Sequence, residues 1–486
     1  MSSSRVRILD PNEKPSPVFY PIAIIGAGAG GIGAACRLKH LGYDKFRVFE
    51  RESGLGGTWW TNRYPGVSKT IYSSGSDFLD YLGTAVERAG ITSNIRLNSE
   101  VTMEEVIQAK IVISAVGILS EPNKPIADLG ASNGQVIHSA RWPADTDLTG
   151  QDVVVVGSGC SAAQIVPALL QTPVKSLTQI MRTPPWVVPR LEEPGGKEAY
   201  AKWAPQIYGT VPLLGFFVPA ASSLAHMTAL APPKYHRILT PQYPVGCKRR
   251  IFDSDWLKCM HDSRFTLASG SLTSVSDHEV NVRGPDASCK ELTDRILKAD
   301  TLILATGFDT HEFKHYLPVV GRDGISLQDQ WATRGGPHAY MCTAVDGFPN
   351  FFMVRGPNTL TGHTSAIMTM ENTIEYILRL IKPVLTGHVS IVEPKPEAVQ
   401  AWDRAIQANT QATVFRVCTS WYKTGGRNVA VYPRSQVDYH LRCRFPRLSN
   451  WNRTMTVRGM NRQRRHWAIG YLAIATVCFG VLYAVL

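Results

Sequence analysis

Two ionisable residues follow glycine turns at nearly the same distance. Glu50 lies 24 residues after Gly26, within IAIIGAGAGGIGAACRLKHLGYDKFRVFE, and Arg182 lies 25 residues after Gly157, in the run that begins DVVVVGSGCSAAQIVPALL. At the end of the second strand of a βαβ unit, a carboxylate accepts hydrogen bonds from ribose hydroxyls, whereas a guanidinium suits a 2′-phosphate. The first turn therefore suits a dinucleotide with an unmodified ribose, and the second suits NADPH rather than NADH. Thr183 adds a hydroxyl donor beside Arg182, and further along stands a run of three cations, Lys248-Arg249-Arg250, behind a glycine turn. Such a run is either a solvated face or a site for an anion.

The elements that must hold these residues are legible around them. A short apolar run, Ile22 to Ile25, ends in Gly26-x-Gly28-x-x-Gly31, and a segment of helical spacing returns as the strand FRVFE. Gly26 allows the tight turn, Gly28 lets a pyrophosphate approach the backbone, and Gly31 lets helix and strand pack closely, while the helix N-terminus offers free N–H groups. The second unit repeats this as Gly157-x-Gly159-x-x-Ala162 after a five-residue strand, with Ser161 in the following turn. This looks like an internal duplication. Ile111 to Gly117 and Asp300 to Asp309 close the two units in parallel fashion, the latter carrying Ala305-Thr306-Gly307.

Composition narrows the class. At 486 residues, with 44% apolar and 19% charged, the chain is globular and long enough for two or three domains. The formal charge of +12 is scattered apart from a C-terminal cluster (Arg453, Arg458, Arg462, Arg464, Arg465), and no nucleic-acid motif accompanies it. Nine cysteines without a C-x-x-C pair argue against a disulfide framework and against a zinc or other metal site, and fit a reducing compartment. Residues 1–20 read as a polar lead-in. The closing run WAIGYLAIATVCFGVLYAVL, 467–486, is twenty uncharged residues behind the basic flank NRQRRH. Its length predicts a C-terminal transmembrane helix, and its flank a catalytic body facing the cytosol, with the endoplasmic reticulum as the expected membrane.

After Glu50 comes GLGGTWWTNRYPG, where Trp59, Trp60 and Tyr64 offer flat surfaces to a planar ring system or simply pack. This G-G-T-W…N-R-Y-P-G stretch resembles the flavin-site segment of the class B flavoprotein monooxygenases, particularly the Baeyer–Villiger monooxygenases. The resemblance covers most of Pro21 to Pro446. It implies FAD at Gly26, Gly28, Gly31, Glu50, Gly57, Thr58, Trp59 and Tyr64, with a second flavin contact near Gly356, Pro357 and Asn358. It implies NADPH at Gly157, Gly159, Ser161, Arg182, Thr183 and Lys248, with Trp421 of SWYKTGGRN near NADP and substrate or in plain core packing. In the segment Gly134-Gln-Val-Ile-His138-Ser-Ala-Arg-Trp142, three of four fingerprint residues match, and Ser132 replaces the expected phenylalanine; His138 then has a structural or conformational role. Tyr243-Pro-Val-Gly-Cys-Lys248-Arg249 resembles a G-x-K-R segment in which the lysine meets NADPH and the arginine, here Arg249 as the catalytic candidate, stabilises the reacting oxygen species. Thr70 stands where the family carries an aspartate, and Ile71 to Lys110 looks contracted.

The implied fold is α/β, with two dinucleotide-binding (Rossmann-like) domains, the NADPH domain inserted in the FAD domain. The expected division is 21–150 for the first part of the FAD domain, 151–304 for the NADPH domain with a helical cap, 305–446 for the second part of the FAD domain, 447–466 for a basic linker and 467–486 for the anchor. The apolar stretch Val211 to Ala231 is the cap candidate, a second membrane contact being disfavoured by its prolines. The implied activity is NADPH-dependent insertion of oxygen from O2 into an apolar ketone through a C4a-peroxyflavin. Oxygenation of nitrogen, sulfur or carbon is the alternative chemistry, and an inactive membrane-anchored binding subunit is the alternative of another class. The substrate and the oligomeric state are left open.

Overall fold

The computed structural model describes residues 2–8, 19–66, 75–126, 129, 132–189, 220–253, 255–285, 292–310, 319–360, 365–418, 422–465, 468 and 476. The chain opens with β1 (Ser2–Ile8), β2 (Phe19–Ile25), α1 (Ala29–His40), β3 (Phe46–Phe49), α2 (Thr58–Thr61), α3 (Gly75–Ala89), β4 (Ile95–Arg96) and β5 (Ser99–Ser114). It continues through β6 (Gln135–His138), β7 (Asp152–Val156), α4 (Cys160–Leu170), β8 (Ser176–Met181), β9 (Val187–Val188), α5 (Ala220–Leu230), β10 (Ile251–Phe252), α6 (Trp256–Cys259) and β11 (Phe265–Ser269). A meander of β12 (Ser271–Ser276), β13 (Glu279–Pro285) and β14 (Leu292–Lys298) precedes β15 (Thr301–Leu304). The last part holds β16 (Phe351–Met353), α7 (Ala366–Leu385), β17 (Val389–Pro394), α8 (Pro396–Gln411), α9 (Gln436–Arg444) and β18 (Trp451–Met455).

Two parallel sheets organise these elements. The first runs β1-β5-β2-β3-β4, with β16 joining β5, so residues far along the chain complete the sheet that the first glycine turn leaves. The second runs β11-β8-β7-β15-β6. Strands buried on both faces explain why Ile22, Ile24, Val153, Val155 and Ile303 lie in near-continuous apolar runs. Helix α7, twenty residues long and capped by the Ser365 hydroxyl accepting from the Met368 N–H, lays Ile374, Ile377 and Ile381 into the same core as Ile32 and Leu38 of α1.

Several expectations change. Residues 2–8, read as lead-in, form a strand parallel to β5. The stretch read as contracted holds α3, β4 and most of the sixteen-residue β5. Thr70 lies outside the described residues. So does the first part of the cap candidate, 211–219, while its remainder forms α5.

The expected C-terminal transmembrane helix is corrected. Among the described residues no helix is long and apolar enough to cross a membrane. The helical segment at 457–465 is basic, and beyond it only Ala468 and Thr476 are described, so the rest of 467–486 lies outside the described residues. Apolar composition gives a run its affinity for a nonpolar medium; a span also requires about 20 residues of continuous helix. The membrane localisation inferred from that run falls with it.

Candidate active site

At the first turn, Gly26 has φ +100°, and a side chain there would bring its Cβ within 2.6 Å of the Ala115 carbonyl oxygen at the end of β5. The Gly56-Gly57 pair is pressed onto the same turn. Gly56 donates its N–H to the Ala27 carbonyl at 3.0 Å, and a Cβ on Gly57 would lie 3.0 Å from the Gly28 Cα. Glu50 closes the arrangement. Its carboxylate accepts from the Ala27 N–H at 2.6 Å and from the Glu52 N–H at 3.0 Å. The side chain is buried, and desolvation raises its pKa against the lowering effect of these two donors.

The second turn repeats the backbone and changes the chemistry. Gly157 has φ +130°, and its Cβ would meet the Ala305 carbonyl oxygen at 2.3 Å, so Ala115 and Ala305 play equivalent parts in the two halves. Here the turn is held by an amide. Gln179 on β8 donates to the Gly157 carbonyl at 2.8 Å, while its own oxygen accepts from the Trp256 indole at 2.9 Å. Asp253 accepts from the Trp256 N–H and faces His226 of α5 at 3.2 Å. Ser158 donates to the Thr183 carbonyl at 2.8 Å, tying turn to strand end.

Cations gather at this strand end. Lys248 is half-buried, and its pKa is lowered first by desolvation and then by the charge of Arg182, which places the two cations in each other's field. The Lys248 ammonium sits 5.0 Å from the centre of the Tyr243 ring. Tyr243 in turn donates to the Pro184 carbonyl and accepts at its own carbonyl from the Trp186 indole, at 2.8 and 2.9 Å. Arg249 is exposed, and its charge reaches the Tyr422 hydroxyl, opposing the rise in pKa that burial gives that phenol. Arg250 turns inward, with its Nε buried and unpartnered among the described residues and its pKa lowered by burial.

The two halves meet through residues expected to face cofactors. Tyr64 is buried and donates to the Gln164 side chain on α4 at 2.9 Å, while Ser161 donates to the Tyr64 hydroxyl at 3.1 Å. Both side chains therefore bond to each other across the halves. Burial pushes the Tyr64 phenol up to about 12, so it stays protonated. His138, at the end of β6, accepts at Nδ1 from the Ala140 N–H, and its Nε2 faces the Gly307 backbone and the Thr306 hydroxyl. Desolvation lowers its pKa to about 4, with Arg141 adding to the effect, so the ring is neutral and joins the fingerprint segment to the Ala-Thr-Gly return.

The remaining candidates are dispersed. Thr58 donates weakly to the Leu119 carbonyl at 3.4 Å, and Trp59 is 38% exposed with its ring 5.5 Å from Phe78. Asn358 has φ +61°, is buried, and its amide donates to the Asn428 and Val431 carbonyls, so that the side chain supports the 422–431 segment. Trp421 lies outside the described residues. Ser132 bonds to the Gly134 and Asp277 carbonyls at the rim of the second sheet. Sequence reasoning missed Gln179 and Trp256, which carry no motif; Tyr243 and Asn428 stood in quoted segments without a role, and Asn428 knots α8 to the 428–431 backbone. It also read the cysteines as unpaired, whereas Cys247 and Cys418 form a disulfide across 171 residues. The only signal for that pair was that each cysteine adjoins a segment already singled out.

Known proteins share this arrangement. Residues 24–79 match the model of the NAD(P)-binding Rossmann-like domain, and residues 84–190 match that of the L-lysine 6-monooxygenase/L-ornithine 5-monooxygenase family. A Baeyer–Villiger monooxygenase of Streptomyces coelicolor is 32% identical over 481 residues, covering 87% of this chain and 90% of the relative. One from Pseudomonas aeruginosa is 30% identical, covering 88% and 90%. Among solved structures, the closed form of cyclohexanone monooxygenase has a TM-score of 0.78 at 24% identity over 91% of this chain and all of its own, and OTEMO in complex with FAD and NADP has 0.78 at 21% over the same shares, likenesses of fold. With two glycine turns, one closed by an acid and one by cations, and relatives matching nearly end to end, the chain belongs to the Baeyer–Villiger monooxygenase family.

Proposed function

We propose that the enzyme converts an organic ketone to an ester or lactone with NADPH and O2, and that its two nucleotide sites divide the work as their charges suggest. The residues fit both cofactors. The buried Glu50 carboxylate beside a turn with no room for side chains suits the adenosine of FAD, and two mutually repelling cations, Arg182 and Lys248, suit a dianionic 2′-phosphate. FAD, when bound, supplies the hydride acceptor and the activation of oxygen. The protein's own contribution is positioning and charge. Gly157 and Gly159 present backbone to a pyrophosphate, while Thr183 adds a hydroxyl beside Arg182. Arg249 supplies the fixed cation for negative charge that develops on oxygen as the carbonyl is attacked, the part that oxyanion-hole donors play in acyl transfer.

The observation that carries this reading is the placement of Lys248 in the field of Arg182, with Arg249 next in the chain and felt by Tyr422. The match to the lysine/ornithine N-oxygenating family is confined to residues 84–190, while the Baeyer–Villiger relatives span the chain, which favours ketone over amine oxidation. A panel of ketones, amines and thioethers incubated with enzyme, NADPH and ¹⁸O2 tests it. The expected result is an ester or lactone carrying one ¹⁸O atom, formed with NADPH far better than with NADH. Labelled N- or S-oxides without any ester would overturn it.

A further inference from the structure

The cystine joins two segments that belong to different halves of the molecule. Cys247 lies immediately before Lys248, and Cys418 lies four residues before Tyr422 in the sequence. Both are buried, at 1% and 4% exposure. The two segments also pack directly, since a Cβ on Gly246 would touch the Val414 side chain at 3.4 Å. Around Cys418 the loop is braced on itself: the Lys423 ammonium donates to the Phe415 and Arg416 carbonyls at 3.3 Å each, and the Phe415 and Tyr422 rings meet edge to face at 5.7 Å. On the other side, Lys248 is held through Tyr243 to the Pro184–Trp186 segment just before β9. The covalent link thus ties the segment of Lys248 and Arg249 to the segment that ends at Cys418, four residues before Tyr422.

We propose that the Cys247–Cys418 pair is a redox-sensitive clamp that positions Lys248 and Arg249, and that its closure is driven by peroxide. This rests on the roles given to those two cations above. In the closing step the two thiols lose two electrons and two protons as the S–S bond forms. Hydrogen peroxide accepts the electrons, its O–O bond breaks, and two waters leave. A dithiol reductant reverses the step, becoming a disulfide itself. Hydrogen peroxide is also the product when a flavin oxygenase reduces O2 without oxidising substrate, so a loosened cation segment would generate the oxidant that closes the clamp. Cys247 and Cys418 are positioning residues, acting through their neighbours.

The test uses the full-length holoenzyme. Peptide mapping after thiol alkylation, with and without prior hydrogen peroxide, should show Cys247 linked to Cys418 in the oxidised sample. Relative to that sample, Cys418→Ser and Cys247→Ser should each weaken NADP+ binding, read by fluorescence titration, and raise the hydrogen peroxide released per NADPH consumed. A displaced catalytic cation can cost up to ~10²-fold in coupled oxygenation. Flavin content and the thermal midpoint of a Cys247→Ala/Cys418→Ala double variant separate positioning from folding. Retention of both, with raised peroxide release, supports the clamp. Free Cys247 and Cys418 after peroxide treatment would overturn it, as would variants whose losses merely track lost flavin, or variants with unchanged peroxide release and NADP+ affinity. If the clamp fails while Arg249→Ala still abolishes ester formation, the functional reading stands and only the clamp falls.

Discussion

The two glycine turns have nearly the same backbone and opposite closures. Each glycine at positive φ lies against an alanine carbonyl, Ala115 or Ala305, and each begins a helix of similar length. At the first turn a buried carboxylate returns from the neighbouring strand and bonds to the turn itself. At the second, a neutral amide does the holding from within the strand, and the strand's end is left to Arg182, with Lys248 brought in from a distant loop. Holding the turn with an amide leaves the strand end free to be cationic without pulling the turn apart. On the proposed roles, Glu50 of the first turn would both hold the turn and meet the ribose, so its specificity and its stability should be lost together.

That contrast is tested first where the effect is largest. Arg249→Ala should lower ester formation by ~10²–10³-fold, the usual cost of removing one oxyanion-type donor, while NADPH still reduces the flavin; rapid-reaction absorbance and product analysis separate the two. Equal loss of both steps would move Arg249 out of the oxygen chemistry and into cofactor binding. Next, Arg182→Glu should lower kcat/KM for NADPH by about 10²-fold, through loss of a charge-assisted contact worth about 1.5–3 kcal/mol. NADH turnover should stay near its starting value. Because Gln179 and not Arg182 holds the second turn, the thermal midpoint of this variant should be unchanged.

The first turn should behave differently. Glu50→Ala leaves the Ala27 and Glu52 N–H groups without their acceptor and should cost about 1–3 kcal/mol in urea unfolding as well as flavin affinity. Glu50→Gln, retaining an oxygen acceptor, should recover part of both. A Glu50→Ala variant that loses flavin at full stability would break the comparison. Smaller still is Tyr64→Phe. It removes the two hydroxyl bonds that join the halves at Ser161 and Gln164, for about 0.5–1.5 kcal/mol, seen as a lower urea midpoint with NADPH preference intact.

What the sequence made legible follows from how local each signal is. Gly26, Gly28, Glu50, Gly157 and Arg182 sit within single βαβ units, where a turn, a helix start and a strand end repeat at fixed offsets, and spacing alone singles them out as candidates. The roles of Tyr64, Ser161 and Asn358 were legible as positions and not as contacts, because the groups they bond to lie 97, 100, 70 and 73 residues away in the chain. Gln179 and Trp256 were invisible for the same reason: an amide inside a strand and an indole in a one-turn helix have no periodicity of their own. The terminal apolar run shows the converse, a strong compositional signal that no helix among the described residues matches.

The finest test concerns the contact between the ends of β6 and β15, neighbouring strands of the second sheet. His138 has a folded-state pKa near 4 against an ordinary 6.5, first through desolvation and then through Arg141, and the Gly307 backbone opposes the drop without cancelling it. Between those values the unfolded chain binds the proton and the folded chain does not. The contribution of this ring to stability is therefore complete above pH 6.5 and is lost as pH falls toward 4. Urea midpoints measured at pH 7.5 and pH 5 should drop more for the wild type than for His138→Asn, which has nothing to protonate. The activity profile of the wild type should show no ionisation from His138 between pH 6 and 8, since the imidazole is neutral throughout that range. An activity step there that disappears in His138→Asn would mean that the ring takes a proton during turnover, and this strand-end contact would then be part of the chemistry rather than a neutral support within the second sheet.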